Sequence, residues 1–256
     1  MNVTAIMNLK GGTAKTVTAI NMAAILYRYH SQRVLLVDAD SQCNLTEFMT
    51  SEQPEAQRGT DGGLYDLLTG KQAVIRQTGI PCVDILPATD DLMALDVNKA
   101  GGNGADVMAL TELRRQYDER YDYMLIDCPP AFSAAAVAAL IAADRVIIPM
   151  KLDAFGIRGM ANLMCQIRNM QKVNPALTVA GILPTMCYKS EQMTEAAQML
   201  QSSGLRVFHA VRRSTMVDEM TFLQTPLINS SPRCGACIDY RAFVKEFMKG
   251  GEHHGV

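Results

Sequence analysis

Two lysines five residues apart, Lys10 and Lys15, bracket a pair of glycines in the stretch Asn8-Leu9-Lys10-Gly11-Gly12-Thr13-Ala14-Lys15-Thr16-Val17-Thr18. Ammonium groups, a hydroxyl and a glycine-rich backbone in this order suit one kind of ligand, a polyphosphate with its metal ion. Gly11 and Gly12 let the main chain approach an anion closely. Successive backbone N–H groups and the positive end of a following helix then point at it. In such a cradle Lys15 would reach the β- and γ-phosphates and the Thr16 hydroxyl would bind Mg²⁺. The plainer alternative is a Gly-Gly turn in a lysine-bearing surface loop.

The neighbouring residues argue for the cradle. Val3 to Met7 is a short β-prone run, and Ile20, Ala23, Ala24 and Tyr27 recur at helical spacing. A strand therefore feeds the loop and a helix leaves it. The ordinary phosphate-loop pattern, however, wants glycine where Leu9 and Ala14 stand. What remains is a variant, K-G-G-x-x-K-[ST]. If the position of Ala14 requires a positive φ, the methyl group there brings strain.

Two further acid-ended strands supply candidate partners for a metal and a water. Arg33 to Asp38 is apolar and β-branched, and continues as Ala39-Asp40-Ser41-Gln42-Cys43-Asn44. It reads as a buried parallel strand whose carboxyl end meets the ligand edge of a sheet. The alternative for Asp38 and Asp40 is that they cap the next helix. Tyr121 to Asp127 is a second such strand, followed by Cys128-Pro129-Pro130. A lone carboxylate there is placed to hold Mg²⁺ through water.

These motifs resemble the ParA/MinD family of deviant Walker ATPases, most closely its small ParA type. The resemblance implies an α/β fold of P-loop type: a doubly wound, mostly parallel sheet with helices on both faces. It implies ATP and Mg²⁺ as cofactors. Lys10 would be the lysine that reaches across a dimer interface, and Lys15 the one acting within its own subunit. Together with Gly11, Gly12, Thr13, Ala14, Thr16 and Val17 they would form the nucleotide cradle. Asp40 would stand beside the attacking water, with Asp38 and Asp127 near the metal. The backbone at Thr185 and Met186 would lie by the adenine. In this family Pro and Gly are usual where the chain has Ser41 and Cys43.

The same resemblance implies an ATP-dependent homodimer that binds duplex DNA without base readout and works with a ParB-like partner to move a plasmid, chromosome or mobile element. Lys189, Arg212, Arg213, Arg241 and Lys245 would form the DNA patch. Part of the usual basic motif is missing, since Arg212 replaces a proline and Met216 stands where a further basic residue is common. Net charge is −2, and neither side of Leu183 carries a large basic excess. DNA would therefore have to meet a local patch, doubled by dimerisation.

Two rivals stay open. A MinD-like regulator would use its last helix on a membrane surface. Here Gly235 to Met248 pairs an apolar stripe (Tyr240, Phe243, Val244, Phe247) with a basic one (Arg241, Lys245, Lys249), which also suits a packed helix with a solvated face. An iron–sulfur scaffold ATPase would use a C-x-x-C. Cys234 and Cys237 form one, but relatives place theirs after the strand that here ends at Leu183, where only Cys187 stands. A single pair is weak evidence for a metal.

The chain of 256 residues reads as one ATPase domain over 1–249 with a disordered tail at 250–256. Helices are expected over 64–68, 91–99, 106–117, 132–142, 153–173, 191–202 and 215–223. Strands are expected over 83–87, 145–149, 177–183 and 205–209. Thr50 to Asp61 and the glycine cluster at 101–104 read as mobile connections. No signal peptide and no membrane-spanning run is found, so the expected location is the cytoplasm, associated with the nucleoid.

Overall fold

The computed structural model of the chain describes residues 1–51, 61–97, 104–188, 190–201 and 204–250. Its strands are β1 (Asn2–Ile6), β2 (Val34–Asp38), β3 (Arg76–Gln77), β4 (Val83–Leu86), β5 (Tyr123–Asp127), β6 (Arg145–Lys151) and β7 (Thr178–Thr185). They form one sheet in the order β3-β4-β2-β5-β1-β6-β7. Only the short β3 runs antiparallel to its neighbour; the other pairs are parallel. The connection from β5 to β6 passes over β1. The crevice for a ligand therefore opens at the carboxyl ends of these central strands.

The described helices are α1 (Lys15–His30), α2 (Asn44–Thr50), α3 (Leu64–Leu68), α4 (Leu92–Val97), α5 (Ala109–Gln116), α6 (Ala134–Ala142), α7 (Ala154–Gln171), α8 (Glu191–Gln201), α9 (Thr215–Leu223), α10 (Leu227–Ser230) and α11 (Gly235–Lys249). They cover both faces of the sheet, so its strands are buried on both sides. In β2, Leu35 and Val37 enter one core layer while Val34 and Leu36 enter the other. This is why the strand reads as an unbroken apolar run rather than an alternating one. The doubly wound α/β architecture expected from the sequence is therefore the one observed.

α11 shows how the second layer is held. Tyr240, Phe243, Val244 and Phe247 are all essentially buried. Phe243 packs edge-on against Phe208, with ring centroids 5.1 Å apart. Each such side chain contributes about 2–3 kcal/mol by leaving water. The basic residues of the same helix, Arg241, Lys245 and Lys249, face solvent.

Several expectations need revision. The 205–209 segment is not a strand but crosses the edge of β7 as an isolated parallel bridge between Val207 and Ile182. Two hydrogen bonds, Ile182 N to Arg206 O and Phe208 N to Ile182 O, make up the contact. Gly181 allows it: φ there is +152°, and a Cβ would lie 2.7 Å from the Arg206 carbonyl. β3 and α10 were not foreseen. α2 runs through Thr50, where a mobile connection was expected to begin. Most of that connection, the glycines at 101 and 102, and the tail beyond Gly250 lie outside the described residues. Gly250 itself ends α11.

Candidate functional site: a phosphate cradle and its carboxylates

The loop from β1 to α1 has the backbone of an anion cradle. Gly12 and Ala14 both sit in the left-handed region, with φ of 67° and 65°. The position of Ala14 thus requires the conformation that glycine adopts freely. Ala14 is also the N-cap of α1, and no side chain caps that end. No acidic residue stands in the first turn either. The free N–H groups and the positive helix end are left for an anion.

Lys15 is largely buried at this point. Its ammonium donates to the Lys10 carbonyl at 3.4 Å. Burial lowers its pKa, against the pull of the Asp127 and Asp40 charges. The Thr16 hydroxyl donates to Asp127 Oδ2 at 2.7 Å. The other oxygen, Asp127 Oδ1, is buried and has no hydrogen-bond partner. Burial, followed by the nearby Asp38 charge, raises the Asp127 pKa well above the carboxylate range.

Asp38 and Asp127 are register partners on β2 and β5. Burial raises Asp38 to about 6. Its Oδ2 accepts from the Thr46 N–H (2.8 Å) and hydroxyl (2.7 Å), and Oδ1 accepts from the Asp40 N–H. Asp38 therefore braces the first turn of α2. Thr46 extends the brace, because its hydroxyl oxygen accepts from Ala88 N–H beyond β4. Asp40 is half-buried and closes a local turn onto Gln42 N–H. Cys43, at the N-cap of α2, takes a φ of 54°. The switch-loop position that glycine often fills is thus left-handed here too. Two buried carboxylates, a threonine hydroxyl and an unpartnered Asp127 oxygen suit a hard divalent cation.

Lys10 folds back onto its own subunit. Its ammonium lies 2.9 Å from both oxygens of Asp153, the N-cap of α7. Asn8 fixes the same segment by donating to the Pro149 carbonyl and accepting from Lys10 N–H. Thr13 and Thr185 are joined, since the Thr185 hydroxyl donates to the Thr13 carbonyl at 3.2 Å. Beside them opens a cavity of about 400 Å³ lined by Ala14, Thr185, Met186, Arg213, Ser214 and Val217, among others. Its size suits a nucleoside. Val17 is half-buried on α1, packed against the α11-side core.

The residues expected to meet DNA are treated unequally by the fold. Arg212 is paired through Nε and NH2 with Asp239, a carboxylate only 3% exposed, and its backbone N–H binds the same group. Arg213 is exposed and lines the cavity. The Arg241 guanidinium lies over the Tyr29 ring at 4.3 Å. Lys245 is exposed. Lys189 lies outside the described residues. Cys234 acts as the N-cap of α11, its sulfur accepting from Cys237 N–H. Among the described residues no three His, Cys, Asp or Glu side chains gather as a metal site, so nothing joins Cys234 and Cys237 in a cluster-binding set. Asp153, Asn8, Thr46 and Asp239 were not anticipated; only Asp153, three residues before Gly156 at a helix start, carried a local signal.

Fold and loop together define a P-loop ATPase of the doubly wound class. A family model described as AAA domain matches residues 1–179. The chromosome partitioning protein ParA of Caulobacter vibrioides is 31% identical, over 97% of this chain and 94% of that protein. The sporulation initiation inhibitor protein Soj of Bacillus subtilis is 34% identical, over 96% and 98%. Among solved structures, cobyrinic acid a,c-diamide synthase of Mycobacterium smegmatis with bound ADP and magnesium superposes with a TM-score of 0.80 at 25% identity, covering 100% and 97%. The chain belongs to the ParA/Soj family of partitioning ATPases.

Proposed function

We propose that residues 1–249 work as one Mg²⁺-dependent ATPase unit that dimerises on ATP, binds duplex DNA without base readout and is reset by hydrolysis. The observation that carries the reading is the buried, unpartnered Asp127 oxygen beside Thr16 and Lys15, at the head of an uncapped helix. Thr16 and Asp127 would hold Mg²⁺, with Asp38 supporting it from beneath the switch helix. The ion, when bound, offsets the charge that develops on the transferred phosphoryl oxygens. Lys15 neutralises the phosphates from within the subunit. Lys10, once released from Asp153, reaches the nucleotide of the second subunit. Asp40 orients the attacking water. Thr185 and Met186 line the base side of the cavity.

Dimerisation would double a modest basic patch drawn from Arg213, Arg241 and Lys245, so that phosphates are met by several cations at once. Arg212 contributes mainly by holding this loop to α11. A ParB-like partner would stimulate hydrolysis, and the dimer would then come apart. Such a protein works in the cytoplasm on the nucleoid. The membrane-surface alternative is disfavoured by α11, whose apolar stripe is spent inside the core. No helix among the described residues is long and apolar enough to cross a membrane.

The test is calorimetric titration of ATP with and without Mg²⁺, paired with steady-state hydrolysis. Mg²⁺-dependent turnover that is lost in Asp40→Ala, with ATP still bound, is the expected result. Turnover unchanged in that variant would refute the assigned role.

A further inference from the structure

We infer that the edge of the sheet opposite the phosphate cradle carries a second site, one for a phosphate group, built by Arg145 and Arg206. A cavity of about 490 Å³ opens there between the starts of β1, β6 and β7 and the end of α11. Met1, Arg114, Arg145 and Arg206 line it, and Asp144 is the one lining carboxylate among the described residues. That carboxylate is already neutralised. Arg114 meets it at 2.8 Å, and the Val3 N–H donates to it at 2.8 Å. The Met1 ammonium is paired with Asp118. Arg145 and Arg206 are left with no carboxylate partner among the described residues.

Both guanidinium groups lie over buried rings. Arg145 sits 5.2 Å from the Phe247 centroid and Arg206 4.7 Å from that of Phe208. The two rings are themselves neighbours at 6.4 Å. Contact with the rings restrains each side chain before any ligand arrives, which lowers the ordering cost of binding. Each donates to a neutral acceptor: Arg145 to the Asn2 side chain at 3.2 Å, Arg206 to the Glu246 carbonyl at 2.7 Å. A guanidinium has five donors, so both forks keep donors in reserve. Gly250 completes the arrangement, because a Cβ there would collide with the Arg206 guanidinium.

Packing alone explains either arginine: Arg145 covers Phe247, and Arg206 caps the end of α11. It does not explain why both unneutralised cations line one cavity. A single carboxylate satisfies one fork, whereas a phosphate has oxygens enough for two. The chemistry is therefore that of a phosphate mono- or diester, carried by a small molecule or by a nucleic-acid backbone.

The test is arginine Nε–H NMR of the full chain, with ADP and Mg²⁺ present to fill the cradle. Inorganic phosphate and a short random-sequence DNA duplex are titrated separately. Saturable shifts of the Arg145 and Arg206 signals are expected. A response to phosphate alone assigns a small phosphorylated ligand; a response to the duplex assigns a nucleic-acid backbone. Arg206→Gln should weaken binding roughly tenfold, as expected for loss of a charge-assisted contact. Gly250→Ala, which keeps both arginines but displaces one, should weaken it too. No saturable shift with either probe, or equal binding in an Arg145→Gln/Arg206→Gln double variant read at the Val179 and Ala180 amides, would overturn the proposal. The same titrations without ADP separate this site from any failure of the cradle.

Discussion

Lys10 and Asp153 are joined across the gap between the phosphate loop and α7, the ammonium 2.9 Å from each carboxylate oxygen. Asp153 serves two purposes, because its Oδ1 also accepts from Gly156 N–H and caps α7. Burial favours the protonated acid, but the bonds from Lys10 and Gly156 outweigh it and hold the Asp153 pKa below the usual range. On the proposed role, in which Lys10 serves a second subunit's nucleotide, the lysine must leave this partner first.

Asp153→Asn removes the charge while keeping a good N-cap. The lysine side chain is 36% exposed and Asp153 28%, so the pair is worth no more than about 1 kcal/mol. The variant is expected to dimerise on ATP up to about fivefold more tightly than the parent. Sedimentation velocity with a slowly hydrolysed ATP analogue checks this. An unchanged dimer constant would show that the latch does not compete with assembly.

Ala14 holds a φ of 65° at the head of α1. Ala14→Gly should relieve this and stabilise the protein by about 0.5–1 kcal/mol, after the greater freedom of glycine in the unfolded chain is counted. Ala14→Val should lose more than that, since β-branched residues resist this region. Urea midpoints at constant slope measure both. A destabilised glycine variant would mean the loop is not strained at this point.

Asp38 gives the apo protein a pH dependence of definite sign. Its folded pKa of about 6 lies above the ordinary aspartate value. The proton is therefore bound more tightly in the folded chain. The stability this provides is complete below about pH 4 and is lost as pH rises through 6. The loss is of the order of 2–3 kcal/mol. With chelator present, Asp38→Asn should flatten this part of the stability curve. A wild-type curve that rises over the same interval would show that the buried carboxylate is better compensated than its surroundings suggest.

Arg212 and Arg213 are adjacent in sequence and differently placed, the first paired with Asp239 and the second exposed. Arg212→Met leaves Asp239 buried with only His209 and a backbone N–H. Because the Asp239 side chain is only 3% exposed, the melting temperature is expected to fall. Arg213→Met should leave the melting temperature unchanged and weaken DNA binding, with a smaller salt slope. Melting curves and binding isotherms on both variants separate the roles. The reverse pattern would exchange them.

Much of this was legible from the chain. Lys10 to Thr16, Asp38-Ala39-Asp40 and Asp127 to Pro130 are contiguous, and each combines a strand signal with residues whose chemistry is narrow. β2, β5 and β6 were legible because strands buried on both faces must be apolar throughout. What stayed hidden joins distant residues. Lys10 meets Asp153 across 143 positions and Ala88 meets Thr46 across 42, and nothing local marks either partner. Arg212 looked like a surface cation because Asp239 lies 27 positions further on, in α11. The 205–209 run has strand composition, but it meets β7 only at the bridge between Val207 and Ile182. For Ala14 the sequence posed the question and only the backbone answered it.

In the proposed cycle, nucleotide state controls a DNA-binding form. Fluorescence anisotropy of a random-sequence duplex, with ATP, with ADP and with neither, over a salt series, tests it most directly. Binding with ATP alone, lost in Lys15→Ala and weakened by salt, is the expected result. Equal binding in all three nucleotide conditions, or no binding from protein that demonstrably holds ATP, would contradict it.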